Sequence, residues 1–325
     1  MQILMGRWIA GAVSALARLG VPDHLESGPR SATELAAEIG ARPDLLHRLM
    51  RATASVGILS EGPDGRFSQT PMSDVLRTHA RPTVRHVAMF TSDDWHLRGW
   101  GNLAHTVRTG ERAVEGIFGK PVFEYLNENP DVGGTFHNAM TNLSTMEAPA
   151  VADAYDFSGI RSLTDVGGGH GLLLATILER YPAMRGTLYD QPPVIEGARG
   201  GPTEPMKDRV TFASGDMFES VPAGEDAYIM KYIIHDWPDD RCVKILRGCR
   251  AGVNPGGRLL VVDGVVPEGG GFHMSKIVDL EMMLFPGGKE RTEKEFRELF
   301  AASGWALERI LPTAAHLSVI EGTPA

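Results

Sequence analysis

The chain has 325 residues, 42% hydrophobic and 22% charged, proportions that exclude intrinsic disorder and fibrous repeats. At roughly 100 to 200 residues per domain the length predicts two domains with ample chain for a core. A formal charge of −9 argues against a protein that works mainly by neutralising nucleic-acid phosphates, so no nucleic-acid partner is expected.

Residues 1–100 hold 11 Arg or Lys against 10 Asp or Glu, so the acidity lies in the later part. The two cysteines, Cys242 and Cys249, are seven apart; they read as packed thiols in a reducing cytoplasm rather than a disulfide framework. The N-terminal stretch has only short apolar runs, without a signal peptide's apolar region or a membrane span, so no membrane partner is expected and the location predicted is cytoplasmic.

Ile9, Val13, Leu16 and Leu19 recur at helical spacing until Gly20-Val21-Pro22 stops them. Ser31-Ala32-Thr33-Glu34 is a capping box that opens a short helix to Ile39, and Pro43-Asp44 starts another. Gly57-Ile58-Leu59-Ser60, a Gly62-Pro63-Asp64-Gly65 turn and Arg66-Phe67-Ser68 read as a small hairpin. Helices followed by a wing predict a winged-helix domain over 1–98. Arg42, Arg48 and Arg51 are the residues such a module would turn to DNA, but its balanced charge and apolar first helix favour dimerisation.

Residues 99–325 are predicted to hold connecting helices and then an α/β domain. Phe136, Met140, Leu143 and Met146 are spaced to line one inward helix face. From Ile160 strands and helices alternate, the pattern of an open parallel sheet. Strands are expected at Ser162–Val166, Gly186–Asp190, Arg209–Ala213, Ala227–Lys231 and Arg258–Val265. After a helix around Glu290–Ala302, two apolar segments, Ala306–Leu311 and His316–Ile320, are joined too tightly for a crossover helix, so the last pair should be antiparallel.

The strongest site signal is Thr164-Asp165-Val166-Gly167-Gly168-Gly169-His170-Gly171, a strand running through glycines into the helix Leu172–Arg180. Such a loop lets the backbone approach a ligand closely, and the helix start offers unpaired N–H groups. The dinucleotide fingerprint needs a small residue where Leu172 or Leu174 stands, so that reading fails on spacing. Asp165 before the glycines and Asp190 after the next strand suit an amine-bearing, phosphate-free nucleoside such as S-adenosylmethionine. Asp190 is placed to accept ribose hydroxyls. Gly215-Asp216-Met217-Phe218, after the third strand, offers a carboxylate for an adenine amino group beside an apolar clamp.

These residues resemble the small-molecule O-methyltransferases of the caffeate, isoflavone and hydroxyindole type, including bacterial secondary-metabolism members, over nearly the whole chain. Asp165-Val166-Gly167-Gly168-Gly169-His170-Gly171 is similar to that family's glycine loop, Tyr189-Asp190-Gln191-Pro192 to its ribose motif and Gly215-Asp216-Met217-Phe218 to its adenine motif. Lys231-Tyr232-Ile233-Ile234-His235-Asp236-Trp237 resembles the segment that bears the catalytic histidine, and Gly287-Gly288-Lys289-Glu290-Arg291-Thr292 a late acidic motif. The resemblance implies a Rossmann-like methyltransferase sheet with an antiparallel last strand, and a homodimer through the N-terminal domain. It also implies cofactor contacts at Lys231 and Ser144.

A sulfonium methyl needs no further activation, so such an enzyme must orient the acceptor oxygen and remove its proton. His235, just past the fourth strand at the sheet edge, is the expected general base, with Glu290 and Asp263 nominated by the resemblance to fix its tautomer. The segment Asp236 to Asp239 is otherwise read as a helix start, with Asp236 capping and Pro238 in the first turn. The acidic run at Asp236, Asp239 and Asp240 suits a helix start better than a metal site. Phe136, Met140, Trp237, Met282, Met283 and Phe285 are candidate residues for a flat aromatic substrate. Two other functions remain open: hydroxylation or decarboxylation with the same cofactor, and a non-enzymatic winged-helix regulator that binds DNA.

Overall fold

The computed structural model describes residues 1–325, the side chain of Gln2 excepted. The chain divides into two compact units, residues 1–101 with 124–145 and residues 102–123 with 146–325. Residues 124–145, read from the sequence as part of the later domain, therefore cluster with the N-terminal segment.

In the first unit, α1 (Gln2–Leu19), α2 (Val21–His24), α3 (Ala32–Ile39) and α4 (Pro43–Ala54) precede a hairpin of β1 (Leu59–Glu61) and β2 (Phe67–Gln69). The capping box forms as expected, with Ser31 and Glu34 each accepting from the other's backbone N–H. Leu16, Leu35, Met50 and Phe67 are fully buried together. The outer face of α1 is left uncovered in the single chain: Ile3, Leu4 and Trp8 are 94%, 78% and 71% exposed.

Short helices follow: α5 (Pro71–Asp74), α6 (Arg85–Phe90), α7 (Asp94–Gly101), α8 (Leu103–Thr109), α9 (Ala113–Phe118) and α10 (Val122–Glu128), then the long α11 (Pro130–Ala154). The buried positions of α11 include Ala139, Asn142, Glu147, Ala148 and Val151, while Met146 is 40% exposed. Of the inward face expected through Phe136, Met140, Leu143 and Met146, the first three are half-buried and Met146 lies outside it.

The second unit is built on a seven-stranded sheet whose strands are β3 (Ser162–Val166), β4 (Arg185–Asp190), β5 (Val210–Ser214), β6 (Glu225–Lys231), β7 (Val253–Asp263), β8 (Trp305–Pro312) and β9 (Ser318–Pro324). Their order is β5-β4-β3-β6-β7-β9-β8. The first five run parallel, and β9 pairs antiparallel with both β7 and β8. Helices α12 (Leu172–Arg180), α13 (Pro192–Ala198), α14 (Asp239–Gly252), α15 (Met274–Leu284) and α16 (Glu293–Ala302) complete the unit. Leu163, Leu174, Leu178 and Leu188 fill one core layer; Tyr228, Ile245, Phe300 and Trp305 fill the other. The order reverses direction between β3 and β6, the switch point outside whose carboxyl ends α/β proteins bind ligands.

Among the described residues no helix is long and apolar enough to cross a membrane. Cys242 and Cys249 are buried free thiols.

The antiparallel end is tied by a buried carboxylate. Glu321 on β9 accepts from Tyr155 Oη at 2.7 Å and pairs with Arg258 and Arg309 on the flanking strands. Glu321→Gln leaves these donors with half an acceptor and is expected to cost about 1–3 kcal/mol. Urea denaturation checks this, and an unchanged midpoint would dismiss the clamp.

Candidate active site

The loop after β3 is closed against the end of β4: Gly167 N–H donates to the Tyr189 carbonyl at 2.8 Å and Gly169 N–H to Asp190 Oδ2 at 2.9 Å. Asp190 Oδ1 accepts from Gln191 N–H at 2.7 Å, so the carboxylate is anchored where the strand ends. Gly167 has φ +68, and a Cβ there would fall 2.3 Å from Ile233 Cδ1 of the loop after β6. The two loops therefore meet at the switch point only because glycine stands there. Asp165 lies beneath, with Oδ2 buried and without a hydrogen-bond partner. Burial, offset in part by Lys231, pushes its carboxyl up to about 7. Beyond β5, Asp216 Oδ1 accepts from Phe218 N–H at 2.9 Å and turns the loop. An orphaned buried carboxylate oxygen beside a glycine cradle, flanked by two more acidic loops, fits an amine-bearing nucleoside without phosphates.

His235 lies in a short 3₁₀ turn, Ile234–Asp236, after β6. Its Nδ1 is 2.7 Å from Glu290 Oε1, and its Nε2 is 3.6 Å from Asp236 Oδ1. Glu290 is held by its own N–H, which donates to Asp279 Oδ1 at 2.9 Å. Asp263, at the end of β7, accepts from Tyr232 N–H at 3.1 Å. Burial is the main reason that the carboxyls rise, Glu290 to about 8 and Asp236 and Asp263 to about 7. Neighbouring carboxylates add to it, Asp279 for Glu290 and Glu290 for both aspartates, and for Asp236 and Asp263 the nearby His235 opposes it.

Two features hold Glu290 opposite the turn. A Cβ at Gly288 would fall 2.0 Å from the His235 carbonyl oxygen, so backbone presses on backbone. Arg291, 1% exposed, donates to the carbonyls of Ile234 at 2.8 Å and Trp237 at 2.9 Å and to Asp239 at 2.7 Å. The sequence reading ran the helix back to Glu290, but α16 starts at Glu293 because Thr292 and Glu295 form a capping box. Glu290 is thereby left in an extended strap.

Other expectations are redrawn. Asp236 does not cap α14: the N-cap is Pro238, without a side-chain capping bond, and Asp236 turns inward toward His235. Asp239 is drawn to Arg291 and Lys289 instead. Glu290, not Asp263, makes the hydrogen bond to His235 Nδ1, since Asp263 is taken by the Tyr232 backbone. Lys231 Nζ is paired with Glu147 Oε2 at 3.0 Å. Trp237 meets Phe218 edge-on at 4.8 Å; Met282 and Phe285 are buried and Met283 half-buried. Phe136, Met140 and Ser144 belong to the first unit. Sequence reasoning missed Glu147, Tyr232, His316 and Arg291. Arg291 and Tyr232 carried a signal, their places beside Glu290 in the late motif and within the histidine segment.

Carboxyls raised on folding keep protons that the unfolded chain has released. Their contribution to stability is full below about pH 4, the unfolded value, and is lost as pH rises through the folded values near 7. The thermal midpoint is expected to carry this decline between pH 5 and 8. Asp263→Asn keeps an acceptor for the Tyr232 N–H but no titrating group, so its midpoint should decline less. Equal slopes in the two proteins would refute the assignment.

An O-methyltransferase domain model matches residues 100–306, and an O-methyltransferase dimerisation domain model matches residues 1–79. A phenazine O-methyltransferase of Lysobacter antibioticus is 40% identical over 100% of this chain and 95% of its own. The crystal structure of LaPhzM superposes with TM-score 0.95 at 40% identity, covering 100% of this chain and 98% of that one. An O-methyltransferase from neocarzinostatin biosynthesis was solved with S-adenosyl-L-homocysteine and 1,4-dihydroxy-2-naphthoic acid. It is 31% identical, with TM-score 0.80, over 97% of this chain and 96% of its own. The glycine loop and the histidine–carboxylate pair lie at one edge of a Rossmann-like sheet, a dimerisation domain precedes it in the chain, and the chain belongs to the S-adenosylmethionine-dependent O-methyltransferase family.

Proposed function

We propose that this enzyme methylates a phenolic or enolic hydroxyl of a small, flat aromatic molecule of secondary metabolism, with His235 as general base and without a metal. The observation that carries it is the buried 2.7 Å contact between His235 Nδ1 and Glu290, two residues from the Ile233 side chain that packs on the glycine loop. Gly167, Gly169, Asp190, Gly215, Asp216, Met217 and Phe218 would hold the cofactor, with Asp165 beneath the loop. Bound S-adenosylmethionine supplies an electrophilic methyl on a sulfonium.

The protein's own part is proton removal. Glu290 accepts a hydrogen bond from Nδ1–H, which leaves Nε2 as the atom that takes the acceptor's proton, and in its carboxylate form it stabilises the imidazolium that forms. A phenol is a far weaker acid than an imidazolium, so full prior deprotonation is uphill and proton transfer accompanies attack. Asp239 is engaged by Arg291 and Lys289, which supports the metal-free reading. The naphthoic acid held by the neocarzinostatin-pathway relative supports a flat aromatic acceptor.

Incubation with methyl-tritiated S-adenosylmethionine and a panel of phenolic and polyketide acceptors should place label in the organic extract, with or without EDTA. His235→Ala should lose at least about 10²-fold in rate and keep cofactor affinity, whereas Asp190→Ala should weaken that affinity in calorimetry. Full turnover by His235→Ala would remove the base. An unlabelled product heavier by one oxygen would move the reading to hydroxylation.

The matched dimerisation domain and the uncovered α1 face support a homodimer through the N-terminal unit. Trp8→Glu is expected to halve the mass in light scattering, and a persistent dimer would locate the interface elsewhere.

A further inference from the structure

Tyr232 is the only non-glycine residue with positive φ, +58, among the described residues. A bulky side chain is disfavoured in that conformation and glycine would adopt it freely, so a tyrosine persists there only if surrounding contacts require it. Those contacts converge on the ring. Its hydroxyl donates to Glu147 Oε1 at 2.5 Å and lies 3.1 Å from His316 Nε2. Lys231 Nζ sits 4.1 Å from the ring centroid and pairs with the same Glu147. The Tyr232 N–H is held by Asp263 Oδ1 and the Val262 carbonyl. The product of all these restraints is a ring stacked on His235, with centroids 5.0 Å apart and planes 17° from parallel.

The hydrogen bond to Glu290 fixes one imidazole atom, and the 3.6 Å approach of Nε2 to Asp236 is too long to be a second hydrogen bond, so these two contacts alone do not set the tilt of the ring. Swinging would carry Nε2 out of reach of an acceptor hydroxyl. A flat surface against the imidazole face removes that freedom, and no other ring is seen stacked on it among the described residues. We infer that Tyr232 is the positioning residue of the base: its anchored ring sets the plane in which His235 presents Nε2. The consequence for rate rests on His235 being the base; the consequence for ring orientation does not.

The test uses the full chain labelled with ¹³C at the histidine ε1 carbon, the His235 signal being the one lost in His235→Gln. Stacking under an aromatic ring shifts the His235 Hε1 proton upfield of the ordinary imidazole position. Tyr232→Leu is expected to return it to that position, and Tyr232→Phe, which keeps the ring, to leave it upfield. An ordinary position in the unaltered protein would overturn the inference even if Tyr232→Leu failed to fold. A signal unmoved by Tyr232→Leu would overturn it as well. On any acceptor that is turned over, Tyr232→Leu should lower kcat by about 10²-fold, the cost of misplacing a reacting group by about 1 Å, with unchanged affinity for S-adenosylmethionine and with rescue by Tyr232→Phe. Full activity of His235→Ala would instead sink the base assignment and leave the spectral result standing.

Discussion

Arg291 is a guanidinium with almost no access to water, and a buried cation is tolerated only when its donors are met. The acceptors available are carbonyls of the His235 turn, Ile234 and Trp237, together with the Asp239 carboxylate. Satisfying one charge thus fixes the turn after β6 against the strap before α16, and the residue next to Arg291 is Glu290. The His235–Glu290 pair is set by the desolvation of its neighbour as much as by its own hydrogen bond. The bare Gly288 backbone, lying on the turn, leaves the strap no other depth.

The same economy explains the crowd of carboxyls. Glu290, Asp236 and Asp263 are brought around one imidazole in a buried place, where they cannot all ionise cheaply. Such a cluster holds protons near neutrality, and its charge follows that of the histidine. On the other side Lys231 and Glu147 neutralise one another beside the Tyr232 ring, so His235 lies between a proton-rich wall and a balanced ion pair.

Most of the fold was legible because its signals are local. β3 and α12 fall on the residues where the sequence reading put them, for a buried apolar run ending in glycines has few other solutions. The antiparallel end followed from the length of one connection. Helix starts were less secure: the Thr292–Glu295 box was present in the sequence and overlooked, and with it the extended strap that frees Glu290. Asp236 reads as a cap from its neighbours alone, and only the packing of the strap shows that it faces inward. Glu147 and His316 lie 84 or 85 residues from Tyr232 in the chain, and no local pattern announces contacts at that distance.

Cys242 adds something of a different kind. Its thiol donates to the carbonyls of Ile234 and Trp237, and burial pushes it up to about 12, so in the closed molecule it is inert toward oxidants and alkylating reagents. Whatever exposes this sulfur must first lift the strap and loosen the turn that carries the base. The protein therefore holds its own chemical clock for that opening: the rate at which Cys242 is alkylated would measure how often the corner around His235 comes apart.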